Sequence, residues 1–170
     1  IGMGQIGQEV ALRAKAFGMP VLGWSRSMTD ERAEELGITR AQSVEELCAK
    51  SDVISVHLPL ADGTRHIVGK AEFDRMRENT LFVNAARGGV VDDEAMAEAV
   101  ASGRIRAASD VFETEPKASD PTIDSVLTTC DGFYGTHHIG ASTQQAQDAV
   151  ADEVHLRPPP PRPLQARHRL

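Results

Sequence analysis

The sequence predicts an α/β fold, a parallel sheet doubly wound with helices, and three observations predict it. Short apolar runs alternate with helix-length segments along residues 1–156. A glycine-rich turn opens directly into the first of those helices. Each cluster of chemistry-bearing residues follows one of the apolar runs. Strands that alternate with helices in this way build βαβ units, and the strands of such units run parallel.

Residues 5–17 place Ile6, Val10, Ala14 and Phe17 at helical spacing, and Gly18 ends the run. Residues 21–24 (VLGW) read as a short buried strand. Residues 30–36 read as a helix with Thr29 as its cap and Gly37 as its stop. Residues 43–49 begin Ser-Val-Glu-Glu, where the Ser43 hydroxyl can accept an amide and the acid three residues on can reach back. Residues 52–58 (DVISVHL) form a strand. The second half repeats the rhythm: a short helix over 70–76, a strand over 81–84, a helix over 92–101 ended by Gly103, and a strand over 105–111. A loop with Pro116 and Pro121 follows, then a last helix over 142–154.

A hydrophobic share of 41% over 170 residues supports one packed core. The net charge of −7 lacks the basic footprint of a general nucleic-acid binder. No apolar run approaches the roughly 20 residues needed to cross a bilayer, so no membrane partner is expected. Two cysteines, Cys48 and Cys130, suggest neither a disulfide framework nor a metal cluster, and the cytoplasm is the expected compartment. Residues 157–170 (RPPPPRPLQARHRL) differ in kind, with a run of four prolines, four arginines and no acids. Proline lacks the amide donor, so the last helix should end before this tail. The tail is expected to be disordered or non-native; a proline-rich docking segment is the alternative.

Gly2-Met3-Gly4-Gln5-Ile6-Gly7 matches G-x-G-x-x-G. Gly2 permits a tight turn, Gly4 lets the backbone approach a pyrophosphate, and Gly7 allows helix to pack closely on strand. Amides at the helix start, around Gln5 and Ile6, would face the phosphates. The expected fold is thus a Rossmann-type sheet and the expected cofactor NAD or NADP. Only Ile1 precedes the turn, so the first strand is expected to be truncated, and the chain reads as a fragment whose residues 1–156 form the dinucleotide-binding domain. The second strand usually ends in an acid that binds the ribose 2′-hydroxyl. Here Trp24 is followed by Ser25 and Arg26, which suit a 2′-phosphate better, so NADP is favoured over NAD.

Three further segments lie at strand ends, where α/β sheets bind their ligands. The first is Ser55-Val56-His57-Leu58-Pro59-Leu60, the second Asn84-Ala85-Ala86-Arg87-Gly88-Gly89, and the third begins at Asp110-Val111-Phe112-Glu113-Thr114-Glu115-Pro116 and leads to His137-His138-Ile139-Gly140. His57, Leu58, Pro59, Ala85, Ala86 and Asp110 are candidates for lining the cofactor crevice. An Arg, a Glu and a His can converge there. Arginine grips a carboxylate with two parallel hydrogen bonds, and histidine exchanges protons near neutrality. Glu113 is an alternative to Glu115 as the histidine's partner. His66, His155 and His168 read as surface residues.

In these ordered motifs, from Gly2 to about Glu153, the sequence resembles the D-isomer-specific 2-hydroxyacid dehydrogenases, phosphoglycerate dehydrogenase-like members in particular. The resemblance implies that Arg87 binds the substrate carboxylate and carbonyl, that Glu115 pairs with the catalytic histidine, and that His138 is the acid/base. His137 stands where the family usually has Pro and is given no role. A carboxylate beside such a histidine favours its protonated form, which keeps an acid ready for reduction. The implied substrate is a small 2-hydroxy or 2-keto acid of the 3-phosphoglycerate, glyoxylate or hydroxypyruvate class, and the implied assembly of the parent enzyme is a homodimer. Without the lobe that closes over the substrate, the chain alone is expected to turn over little or nothing. A nucleotide-sensing module of corepressor type, or an inactive gene fragment, is the alternative reading.

Overall fold

Alternate residues of the C-terminal strands turn inward (Ile54 and Val56, then Thr80, Phe82 and Asn84, then Ile105, Ala107 and Ser109), and the pairing of these strands makes the centre of the fold. The computed structural model describes residues 1–114, 125–140, 142–146 and 148. The chain divides into two units, Ile1–Ile139 and Gly140–Leu170. In the first unit the elements run α1 (Gln5–Ala16), β1 (Leu22–Gly23), α2 (Asp30–Leu36), β2 (Thr39–Arg40), α3 (Val44–Lys50), β3 (Val53–Val56), α4 (Lys70–Arg75), β4 (Thr80–Asn84), α5 (Asp93–Ala101), β5 (Ile105–Ser109), a 3₁₀ turn (Val126–Thr129) and β6 (Phe133–Gly135). In the second unit residues 144–146 and 148 are helical, and the Thr143 hydroxyl accepts from the Ala146 amide at 3.2 Å. The rest of the expected last helix and the whole tail lie outside the described residues.

Strands β3, β4, β5 and β6 form one parallel sheet in that order, and β1 and β2 pair in parallel beside it. Ile1 and Gly2 stand between the two. The Gly2 amide donates to the Trp24 carbonyl at 2.7 Å, while the His57 amide donates to the Ile1 carbonyl and the Ile1 nitrogen to the Ser55 carbonyl, both at 2.8 Å. The spatial order is therefore β2, β1, residues 1 and 2, β3, β4, β5, β6. Chain order reverses direction at Ile1, the topological switch point of a Rossmann-type sheet. Two residues are enough to occupy the central place because each of these backbone groups finds a neighbour.

Local signals set the helix ends. Thr29 accepts the Arg32 amide at 3.2 Å, and Gly37 closes α2 at φ +60°. Ser43 caps α3 through the Glu46 amide, but the Glu46 carboxylate returns to the Gln42 amide, one residue before the cap. Asp92 caps α5 through the Ala95 amide at 3.0 Å. The core gathers Val56, Phe73, Phe82, Val90, Val91, Met96 and Leu127, all fully buried, with Phe73 and Phe82 packed edge to face at 5.2 Å. Helices α3, α4 and α5 pack side by side.

Two expectations need correction. The strand expected over 21–24 has its regular core at Leu22 and Gly23, with the Val21 carbonyl accepting from Thr39 on the β2 side and the Trp24 carbonyl accepting from Gly2 on the other. The periodic apolar residues of α1 do not face the sheet: Ile6, Val10 and Phe17 are exposed, and Gly7 and Ala11 are what the helix buries. Helix and strand touch so closely at Gly7 that only small residues fit that face.

Candidate active site

The glycine turn is built by close backbone packing. Gly2 has φ +92°, and a Cβ there would stand 2.6 Å from the His57 carbonyl oxygen. A Cβ on Gly7 would collide with the Gly2 carbonyl. Gly4 is different: a Cβ there would meet nothing within 4 Å. Gly4 is also the N-cap of α1 and supplies no side-chain acceptor, so the amides of the first turn, including those of the exposed Gln5 and Ile6, open onto free space. Helix N-termini of this kind favour an anion. The arrangement fits a pyrophosphate, since Gly4 is left bare where nothing in the protein requires it.

Beside the turn, Ser25 is half-buried and Arg26 exposed after β1. The Arg26 guanidinium makes no hydrogen bond or ion pair among the described residues and lies over Gly63, 3.7 Å from where a Cβ would stand. Trp24 is half-buried at the edge of the core. At the end of β3, His57 and Leu58 are half-buried and Pro59 is exposed. The His57 Nε2 is buried with no hydrogen-bond partner among the described residues. Burial, reinforced by the nearby Ile1 ammonium, pushes the His57 imidazole below its ordinary value. Thr64 ties this loop down: its hydroxyl donates to the Pro59 carbonyl at 2.6 Å and accepts the Ala61 amide at 2.8 Å.

The end of β4 carries the candidate substrate-binding arginine. Asn84 is buried, and its side-chain oxygen accepts the Ala86 amide at 3.2 Å, bending the chain outward through Ala85 and Ala86. Arg87 stands exposed beyond that bend. Its guanidinium donates to the Ala86 carbonyl at 2.7 Å and forms no ion pair among the described residues. A cation held on its own backbone, with no carboxylate partner there, can take one from a ligand.

At the end of β5, Asp110 faces the chain that leaves β6. One carboxylate oxygen of Asp110 accepts the Thr136 hydroxyl at 2.5 Å and the Ile139 amide at 2.9 Å. These two bonds flank His137 and His138, and His138 takes φ +59° between them. Asp110, a candidate for lining the cofactor crevice, thus also shapes the histidine's turn. Glu115 lies outside the described residues. Glu113 is engaged elsewhere: its carboxylate pairs with Arg65 and lies 3.2 Å from His66 Nε2. His66 stands partly exposed, as a surface residue, with its Nε2 against that carboxylate.

The sequence reading gave Asn84 and Thr136 no role, and weighed Glu113 only as a partner of the catalytic histidine, not of Arg65 and His66. Asn84 carried a signal, a polar residue closing an apolar strand. Thr136 carried none, because β6 is too short to recognise before its partner β5 is in place. Another buried acid, Asp93, has its carboxyl pushed above the ordinary value, chiefly by burial.

Comparison with known proteins agrees with this geometry. Residues 1–140 match the family described as D-isomer specific 2-hydroxyacid dehydrogenase, NAD binding domain. The chain is 46% identical over 155 residues to D-3-phosphoglycerate dehydrogenase of Methanocaldococcus jannaschii, an alignment covering 91% of this chain and 29% of that protein. It is 42% identical over 157 residues to hydroxypyruvate reductase of Thermotoga maritima, covering 91% of this chain and 49% of that one. The chain thus spans between about a quarter and half the length of these relatives. Among solved structures, D-lactate dehydrogenase from Aquifex aeolicus, in complex with NAD and lactic acid, superposes with a TM-score of 0.78 at 30% identity, covering 90% of this chain and 49% of that one. With the bare glycine turn, the switch-point sheet and the lone arginine after β4 in place, the chain belongs to the D-isomer-specific 2-hydroxyacid dehydrogenase family, in the part that forms its NAD-binding domain.

Proposed function

We propose that this chain is the dinucleotide-binding half of an NAD(P)-dependent dehydrogenase that interconverts a D-2-hydroxy acid and its 2-keto acid. The observation that carries the reading is the pairing of two receptive features at the carboxyl ends of one parallel sheet. The first turn of α1 opens onto space that Gly4 leaves free, and Arg87 has no carboxylate partner among the described residues. Bound dinucleotide supplies or accepts the hydride. The amides of α1 hold its pyrophosphate, and His57, Leu58, Pro59, Ala85 and Ala86 line its crevice. Arg87 grips the substrate carboxylate and orients the carbonyl. His138 gives a proton to the forming hydroxyl oxygen in reduction and takes it back in oxidation, and Glu115 holds the imidazole in place.

Arg26, over Gly63 and unpaired among the described residues, supports NADP as the preferred form, since a guanidinium there can bind a 2′-phosphate. A compound of the 3-phosphoglycerate, glyoxylate or hydroxypyruvate class is the substrate, and the assembly is a cytoplasmic homodimer. The corepressor-type alternative draws no support from relatives whose names are those of enzymes.

Titration with NADH and NADPH, read by energy transfer from Trp24 to the reduced nicotinamide, tests the reading. Saturable binding with NADPH tighter supports both the site and the role of Arg26. NADH tighter keeps the site and rejects that role. No saturable binding with either, by calorimetry as well, rejects the site in this chain.

A further inference from the structure

The loop that carries Arg87 is walled on two sides. On one side runs the segment after β3. The His66 amide donates to the Gly89 carbonyl at 2.9 Å, Val68 bridges Val91, and the Asp92 amide donates to the Val68 carbonyl at 3.0 Å. A guanidinium nitrogen of Arg65 lies 3.2 Å from where a Gly89 Cβ would stand. On the other side runs the segment after β5. Gly88 packs so tightly on the Phe112 carbonyl that any Cβ would collide with it, and the Glu113 amide donates to Asp93 at 2.9 Å. The Glu113 carboxylate joins the two walls through Arg65 and His66.

We infer that Glu113 is a positioning residue: with Arg65 and His66 it clamps the segments after β3 and β5 around the Arg87 loop, and so sets the guanidinium for the substrate's carboxylate. This rests on the dehydrogenase reading above. The link is side-chain to side-chain and partly exposed, so its contribution to stability is small. Its geometric contribution is larger, because Arg87 has no side-chain partner of its own among the described residues and takes its direction from the backbone at 86–89. A misdirected guanidinium loses the bidentate grip while the dinucleotide crevice is untouched. Glu113→Gln keeps the shape and the backbone bond to Asp93 and removes only the charge.

The test uses the full chain with saturating NADH, and oxalate as the probe, a planar dicarboxylate that mimics a 2-keto acid. Calorimetry gives oxalate affinity for the wild type, Glu113→Gln, Arg65→Gln, the double variant and Arg87→Ala. The expected result is a loss of roughly three- to tenfold in oxalate affinity for each brace variant, no further loss in the double variant, and unchanged NADH affinity and melting temperature. Arg65→Gln tests the same link if Glu113→Gln folds poorly. Wild-type oxalate affinity in Glu113→Gln, while Arg87→Ala weakens it, would overturn the brace alone. Parallel loss of NADH affinity and melting temperature in the brace variants would also overturn it, in favour of an ordinary structural role. No binding of either NADH or NADPH by the wild type, or no effect of Arg87→Ala, would overturn the dehydrogenase reading and the brace with it.

Discussion

The two sides of the sheet are held by different physics. From β3 to β6 the strands carry a dense core in which Phe73, Phe82 and Phe112 are almost fully buried, and α5 alone buries Ala95, Met96, Ala97 and Val100. On and just after α1 the large apolar residues face outward: Phe17 is 82% exposed, and Ile6, Leu12 and Met19 are exposed as well, while from α1 to β2 only Ala11, Met28 and Ala33 are buried apolar side chains. What holds α1 is glycine, at positions where backbone meets backbone. The phosphate turn is shaped by close approach, and the arginine-bearing end rests on burial. The turn should therefore be sensitive to added atoms and the other side to removed ones.

The largest effect follows from removing atoms at Phe82. It is fully buried against Phe73 at the centre of β4, and Phe82→Ala should cost about 3–5 kcal/mol, read by denaturant unfolding. A loss under about 1 kcal/mol would mean that the core can collapse around the gap. The complementary effect adds one methyl group. Gly7→Ala drives a Cβ into the Gly2 carbonyl, so both melting temperature and NADH affinity should fall. Gly4→Ala meets nothing in the protein, so the melting temperature should hold while NADH affinity falls roughly tenfold, about 1.4 kcal/mol. Equal behaviour of the two variants would erase the distinction between a packing glycine and a ligand-approach glycine.

This contrast also explains what the sequence made legible. Helices α2, α3 and α5 were readable almost to the residue, since Thr29, Gly37, Ser43 and Asp92 act within one turn of chain. Strands β3, β4 and β5 were readable because they are buried apolar runs. The strands β2 and β6, of two and three residues, were not, because pairing with a neighbour distant in sequence makes them strands at all. The outward face of α1 was not readable either: periodicity shows that a helix has an apolar stripe, not that something covers it. At the site, Gly2 and Gly7 meet backbone where a Cβ would not fit, and Arg87 stands exposed beyond the end of β4. The bonds that shape it, from Asn84, Thr136 and Glu113, join strand ends that only the folded sheet brings together.

A smaller effect concerns pH. His57 is neutral in the folded state below its ordinary pKa, because burial and then the Ile1 ammonium disfavour its charge. As pH falls through about 6.5, the unfolded chain takes up that proton first, so stability should fall with pH until the folded His57 is protonated too. The measurement is therefore the difference between the wild type and His57→Gln. Melting curves from pH 7 to pH 5 should slope less in the variant, and identical slopes would remove His57 as a source.

The smallest effect is expected at Phe17, just past the end of α1. It caps the helix through backbone amides, which a substitution leaves intact, and its ring is largely in water. Phe17→Ser should therefore change stability by no more than about 0.5 kcal/mol, the usual range for an exposed side chain. That expectation assumes that the α1 face stays exposed in solution. If a second copy of the chain covered it, the same substitution would cost burial, and the cost would grow with protein concentration. Melting at two concentrations tenfold apart, with sedimentation of both proteins, separates the cases. A concentration-independent null result leaves glycine packing as what holds this side of the sheet. A concentration-dependent loss would mean that association supplies the burial that α1 lacks within its own chain.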